Sequence, residues 1–252
     1  MRFIVQKINN RIVHDFAFTL TMAKDYYKWL GEQFVIRYVN WPVPNETPIL
    51  HPENYIPVGS VHFVSDYLKK YYPDAVGALR PLNVPEVLFP WAGRMIANIE
   101  TRGDMEPFRS CTDIYRKSNE TIKAFWNGPI YDVWKDHESK DFVHDQVSEI
   151  IDLVSEWRVF VFHNEIQYIA NYGGYSTWFP SVPHIEEMVA RYAGAGAPVA
   201  YTLDVGVKKD GQTVVVECHR FFSCGLYGFS NLMRYPKMLS QEWYEMIHLK
   251  DI

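Results

Sequence analysis

Two carboxylates and a histidine interrupt apolar segments whose composition is otherwise typical of buried β-strands. These residues are Asp204, Glu217 and His219. The segments, residues 201–207 and 213–218, flank an Asp-Gly pair at 210–211, which predicts a β-hairpin. If the pair forms a two-residue turn, Asp204 lies opposite Glu217. His219 follows Glu217 by two residues and therefore shares its face of the strand.

A carboxylate inside a run of valines must be paired, protonated or bound to a cation, because an isolated buried charge is costly. Asp204, Glu217 and His219 together therefore predict a divalent metal site. Oxygen ligands favour magnesium, which commonly also binds phosphate. The alternative is a surface hairpin whose outward-facing residues are charged, since charged side chains are usually exposed.

Three cations lie in apolar or strand-like surroundings, where each requires a nearby anion. They are Arg109, Lys123 and Arg158. Phosphate groups are suitable partners, since guanidinium binds them bidentately and lysine binds them as a point charge. The alternative for each is a surface cation whose aliphatic stem packs on the core.

The composition sets limits on the class of protein. The chain has 252 residues, of which 48% are hydrophobic, enough for one large domain or for two or three lobes. The net charge of -5 gives no basic field that would indicate nucleic acid. Because the sequence shows no membrane-length apolar run, signal-peptide core or disulfide framework, we expect a reduced, cytoplasmic protein without a membrane partner.

Local patterns predict alternating strands and helices. The expected strands are residues 3–6, 35–39, 107–111, 156–162 and 165–170. The expected helices are residues 21–34, 59–72, 183–193 and 243–250. Proline-rich connections occupy 42–57 and 81–90, and the second could carry a lobe boundary.

The order of five sequence pieces resembles the ATP-grasp superfamily, and within it a clade named for two arginines and one lysine that is common in phages and bacteria. The pieces are residues 57–64, 108–128, 147–161, 166–174 and 203–229. The resemblance implies an α+β ATP-grasp fold in which two α+β lobes hold ATP between them. It implies an N-terminal α/β region at 1–95 and an ATP-grasp domain at 96–252, with lobes at about 104–150 and 151–252.

The same resemblance implies an ATP- and Mg²⁺-dependent carboxylate–amine ligase that acts through an acylphosphate, with Mn²⁺ as an alternative ion. Its partners would be ATP and unidentified carboxylate and amine substrates, including a peptide or protein. Two other functions stay open: a nucleotide-binding regulatory or inhibitory protein without ligase activity, and a phosphotransferase on the same scaffold.

Site residues are implied position by position. Arg109 matches the strand arginine that faces the phosphates, Lys123 matches the lysine before a Phe-x-x-Gly turn, and Arg158 matches the arginine of a Glu-Trp-Arg strand. We expect these three to be catalytic. Glu149 matches the linker position whose neighbouring backbone holds adenine.

The metal ligands implied by the resemblance are Asp204 and Glu217. The family usually has asparagine two residues after the second carboxylate, where this chain has His219. Neutral imidazole binds metals but suits softer ions better than magnesium. This difference favours the nucleotide-binding alternative.

Overall fold

The structure is a computed structural model that describes residues 1–42, 51–120, 125–129 and 145–248. The N-terminal region forms a parallel sheet of order β2-β1-β3, with strands β1 (Arg2–Lys7), β2 (Val35–Asn40) and β3 (Ile56–Val58). Helix α1 (Asp15–Trp29) connects β1 to β2, and helix α2 (Val61–Tyr71) follows β3. The hydroxyl of Ser60 accepts a hydrogen bond from the Phe63 amide and caps α2.

A second sheet has the order β4-β7-β5-β6 and antiparallel pairing. Its strands are β4 (Ile96–Ile99), β5 (Asp113–Ser118), β6 (Phe125–Pro129) and β7 (Asp145–Glu149). A 3-10 helix (Arg102–Ser110) lies between β4 and β5, and Met105 and Phe108 from it are fully buried with Ile114 and Val147. We call this sheet, together with its 3-10 helix, the small lobe.

A third sheet has the order β11-β10-β8-β9, and every neighbouring pair is antiparallel. Its strands are β8 (Ser155–Phe162), β9 (Glu165–Gly174), β10 (Ala200–Val207) and β11 (Thr213–Arg220). Helix α3 (Val182–Ala193) packs on one face through Ile185, Met188 and Val189. All eight residues of β10 are buried, because this strand lies inside the sheet.

The last helix, α4 (Arg234–His248), joins the third sheet to the N-terminal region. Trp243 and Met246 pack with Tyr67 and Leu68 of α2, whereas Met238 lies in a separate cluster with residues of α1 and β1. Short 3-10 helices occupy Pro52–Asn54, Pro73–Leu79 and Glu86–Trp91. No helix in the described ranges has the length and apolarity required to cross a membrane.

The β8–β9 and β10–β11 hairpins confirm the sequence predictions, as do the strands β1 and β2. The strand expected at 107–111 is wrong, because these residues end the 3-10 helix Arg102–Ser110 or follow it. The Asp104 carboxylate accepts from the Thr101 amide at 2.7 Å in a capping box, which favours a helical start. The expected helix at 21–34 instead runs from Asp15 to Trp29, and the last helix begins earlier than expected, at Arg234.

Candidate functional site

A cleft of about 440 Å³ lies where the three parts of the chain meet. The N-terminal region contributes Val61, Arg80 and Asn83, the small-lobe sheet contributes Tyr115, Lys117 and Phe125, and the third sheet contributes Arg158, Glu217 and His219. Residues 222–225 and Tyr227 also line the wall. The cleft therefore brings charged side chains from two sheets into one place.

Three charged residues form a row across the third sheet. Asp204 on β10 pairs in register with Arg158 on β8 and with Glu217 on β11. The Asp204 side chain is 1% exposed, whereas that of Glu217 is 20% exposed. The prediction that Asp204 lies opposite Glu217 is therefore confirmed, although the connection between the two strands differs from the predicted two-residue turn.

A β-bulge in β11 produces this register. Val207 pairs with Thr213 across a five-residue connection, rather than across a two-residue turn. Continued without interruption, that register would place Val216 opposite Asp204 and turn Glu217 to the other face of the sheet. A shift between Asp204 and Val205 inserts one extra β11 residue and brings Glu217 to the cleft.

Arg94 stabilises the bulge from outside the sheet. It can reach the backbone there because β11 is an edge strand, with no further strand on its outer side. Its guanidinium donates to the carbonyl oxygens of Val215 at 2.8 Å and Val216 at 3.2 Å. Burial lowers the pKa of Arg94 to about 10. Gly93 has φ +61°, and a Cβ there would lie 2.4 Å from a Val214 methyl, so glycine permits this close approach.

Arg158 neutralises Asp204 through a bidentate pair. Its Nε and Nη2 atoms donate to the two carboxylate oxygens at 2.8 and 2.7 Å, and Nη1 donates to the Gly225 carbonyl at 3.3 Å. The guanidinium also lies over the rings of Tyr172 and Tyr227. Burial opposes the charge, but hydrogen bonding to Asp204 holds the pKa of Arg158 above its ordinary value.

Asp204, Glu217 and His219 form a cluster with metal-ligating atoms within 4.8 Å of one another. His219 Nε2 lies 2.8 Å from a Glu217 carboxylate oxygen and 3.9 Å from one of Asp204. The three residues that the sequence predicted as a metal group are therefore brought together. Two carboxylates and one imidazole form a donor set suited to a divalent cation.

Lys117 is a cleft cation that sequence reasoning did not select. It lies on β5 and lines the cleft, and its ammonium forms a close ion pair with Glu217 across the two lobes. Burial lowers the pKa of Lys117 to about 8, an effect that the charge of Asp204 opposes. Alternation along β5 could have identified it, because Ile114 is buried in the small-lobe core whereas Tyr115 and Lys117 line the cleft.

Arg109 is not brought to the cleft. Its side chain is 73% exposed and lies 3.5 Å from Glu106 on the same 3-10 helix. Lys123 lies outside the described residues. Glu149 ends β7, where its carboxylate accepts from the Met95 amide at 2.8 Å, so it supports the chain that enters the small lobe.

Comparison with solved structures defines the fold. D-cycloserine synthetase DcsG aligns over 96% of this chain and 100% of its own, with a TM-score of 0.54 and 10% identity. D-alanine–D-alanine ligase from Bacillus anthracis aligns over 98% of both chains, with a TM-score of 0.54 and 10% identity. Macrocyclase MdnC from Microcystis aeruginosa MRC, bound to precursor peptide MdnA, covers 96% and 99%, with a TM-score of 0.52 and 11% identity. These likenesses define an ATP-grasp fold of two α+β lobes with an N-terminal α/β region.

A family model gives the more specific assignment. Residues 114–237 match the ATP-grasp domain, R2K clade family 2. The matched segment runs from β5 to the first turn of α4, and over that segment the chain is similar to the R2K clade of ATP-grasp domains. A comparison with curated proteins found no significant match.

Proposed function

We propose that this protein is an ATP- and Mg²⁺-dependent carboxylate–amine ligase. The observation that carries the proposal is the row Arg158–Asp204–Glu217, which faces Lys117 from the other lobe across one cleft. Opposed cations and clustered carboxylates suit a nucleotide whose phosphates are bound together with a divalent ion. The similarity of residues 114–237 to the ATP-grasp domain of the R2K clade supports ATP as that nucleotide.

Asp204 and Glu217 would hold Mg²⁺ or Mn²⁺, with His219 as a third donor, because their ligand atoms already converge. The bound ion would supply neutralisation of phosphate charge. Lys117 and Arg158 would place positive charge beside the phosphoryl group that is transferred. Glu149 would lie at the linker position whose neighbouring backbone holds adenine, as the family resemblance implies. Lys123 stays a candidate phosphate ligand, whereas Arg109 is exposed and does not line the cleft, so we do not assign it that role.

The reaction proposed for this cleft has two steps. A substrate carboxylate oxygen attacks the γ-phosphorus of ATP, forming an acylphosphate and releasing ADP. An amine then attacks the acyl carbon, forming the amide while inorganic phosphate leaves and the amine nitrogen loses a proton. Arg158 and Lys117 contribute by stabilising the charge that develops during the first step.

A nucleotide-binding protein without ligase activity is the second candidate. It is favoured by the close engagement of Glu217 with both Lys117 and His219, since these contacts compete with a metal ion for the same oxygens. A phosphotransferase on the same scaffold would share the first half of the chemistry but retain a phosphorylated product.

Hydroxylamine separates these three functions, because it captures acylphosphates as hydroxamates without knowledge of the natural amine. The protein is incubated with Mg²⁺, ATP and a panel of amino acids and peptides, and ADP and hydroxamate are measured. A ligase gives carboxylate-dependent release of both, and Glu217→Gln abolishes it. ATP binding with no such turnover supports the regulatory protein, whereas ADP with a stable phosphorylated product and no hydroxamate supports the phosphotransferase.

A further inference from the structure

Asn83 connects the two sheets that face each other across the cleft. Its backbone carbonyl accepts from the Cys218 amide of β11 at 2.6 Å. Its side-chain Nδ2 donates to the Ser118 carbonyl of β5 at 3.0 Å and to the Asn119 side-chain oxygen at 2.6 Å. Because a carbonyl only accepts hydrogen bonds, the contact with Ser118 fixes the orientation of the Asn83 amide.

These contacts lie next to both members of the interlobe ion pair. Cys218 directly follows Glu217, and Ser118 directly follows Lys117. One residue therefore holds the backbone beside the carboxylate and the backbone beside the ammonium. Asn83 is 5% exposed, so water has little access to weaken these hydrogen bonds.

The next residue is fastened to the same part of the small lobe. Val84 donates its amide to the Gln146 side-chain oxygen at 3.0 Å, and its carbonyl accepts from Gln146 Nε2 at 2.9 Å. Gln146 lies on β7 directly opposite Lys117 on β5. The segment is thus held to two adjacent strands of one sheet and to the edge strand of the other.

The geometry points to Asn83 as a positioning residue that sets the separation of Lys117 from Glu217, and thereby the fit of the cleft to metal-bound ATP. This inference rests on the proposed function. Asn83 acts through Lys117, since its side chain binds the small-lobe strand that carries this lysine. Misplacement of a reacting group by about 1 Å can cost about a hundredfold in rate.

Asn83→Gly tests the side-chain link selectively. Asn83 has φ +47°, which glycine adopts without strain, and the backbone carbonyl that binds Cys218 is retained. Asn164→Gly is the matched control, because Asn164 also has a positive φ, of 61°, but lies exposed in the β8–β9 turn. We expect Asn83→Gly to lower kcat/KM for Mg²⁺-ATP by about ten- to a hundredfold, and the control to leave it unchanged.

A double-mutant cycle with Lys117→Met distinguishes positioning from general damage to the fold. Dissociation constants for Mg²⁺ with a non-hydrolysable ATP analogue, and kcat/KM where turnover exists, are measured for the wild type, both single variants and the double variant. If Asn83 acts through Lys117, Asn83→Gly has less than about a twofold further effect in the Lys117→Met background. Additive losses, or an Asn83→Gly variant that behaves like the Asn164→Gly control, overturn the inference.

The affinity measurement keeps this inference separate from the ligase proposal. If the wild type binds the analogue but shows no carboxylate-dependent turnover, the ligase proposal fails while the affinity cycle still decides the role of Asn83. If the wild type does not bind the Mg²⁺-analogue complex at millimolar concentration, both are overturned.

Discussion

Arg158 and Asp204 face each other on neighbouring strands, and the guanidinium binds both oxygens of the carboxylate. On the other side of Asp204 lies Glu217, whose charge is balanced by Lys117 from the small lobe. The four side chains therefore carry two positive and two negative charges. A divalent ion at the carboxylates would add two positive charges, and the negative phosphates of ATP would neutralise them. We therefore expect metal and nucleotide to bind cooperatively.

The first prediction concerns Arg158. Arg158→Ala should lower turnover by about a hundredfold to a thousandfold, because a donor beside the transferred phosphoryl group is lost. We expect ATP affinity, measured by calorimetry, to fall much less. Arg158→Lys should restore little activity, since an ammonium cannot reproduce two parallel hydrogen bonds to Asp204.

Stability provides the control for this variant. Arg158→Ala leaves the buried Asp204 carboxylate without its cation, which should cost about 3–5 kcal/mol in the free energy of unfolding without metal. Adding Asp204→Asn removes the uncompensated charge and should recover part of that loss. If Arg158→Ala turns over ATP like the wild type, Arg158 is structural and the regulatory-protein alternative gains support.

The second prediction compares the two carboxylates. Glu217→Gln should abolish turnover and weaken Mn²⁺ binding, and its effect on the free energy of unfolding should be the smaller of the two because Glu217 is 20% exposed and Asp204 only 1%. Asp204→Asn should also abolish turnover but should destabilise the fold more, since it leaves the buried Arg158 poorly paired. Mn²⁺ titration and denaturant unfolding measure the two effects separately. Wild-type activity in both variants would disprove the metal assignment.

The predicted pairing of Asp204 with Glu217 is right, although the predicted two-residue turn is not formed. The apolar runs and the Asp-Gly pair indicate the hairpin, and the two-residue turn gives the right partner for Asp204. The structure uses a longer connection, and the bulge at Val216 restores the pairing. A bulge held by Arg94 depends on a contact distant in sequence, so the hairpin pattern alone could not reveal it.

The cations show where sequence reasoning failed. The expected strand at 107–111 selected Arg109, but the capping box at Thr101 and Asp104 supports a 3-10 helix there. The strand begins instead at Asp113, and its alternation directs Lys117 to the cleft. Arg158 was identified correctly as a cleft residue because its strand is long, apolar and part of a clear hairpin.

The third prediction is that ATP raises the melting temperature only when Mg²⁺ or Mn²⁺ is present. A ligand at about 100 times its dissociation constant stabilises the folded state by about 2.7 kcal/mol. Lys117→Met should reduce the shift, because the variant loses the small-lobe charge that faces the phosphates. Thermal scans with ATP plus metal, ATP plus chelator and metal alone measure this. No shift at millimolar ATP with either metal would argue against nucleotide binding altogether.

The fourth prediction concerns Glu242 on α4, which is fully buried beside Arg220. Burial raises the pKa of this carboxyl from the ordinary value of 4.5 to about 7, although Arg220 opposes the rise. Between these values the folded protein binds more protons than the unfolded chain, so this group's contribution to stability decreases as pH rises.

Glu242→Gln removes this titration while keeping a side chain of similar size. The free energy of unfolding of the wild type, relative to the variant, should fall by on the order of 3 kcal/mol between about pH 4.5 and pH 7. Denaturant unfolding at several pH values measures this difference, and Glu187→Gln is the control because Glu187 is exposed on α3. If the free energy of unfolding of the wild type instead rises relative to that of the variant as pH rises, Arg220 keeps Glu242 ionised. The contact between α4 and β11 is then an ion pair rather than a hydrogen bond from a protonated carboxyl.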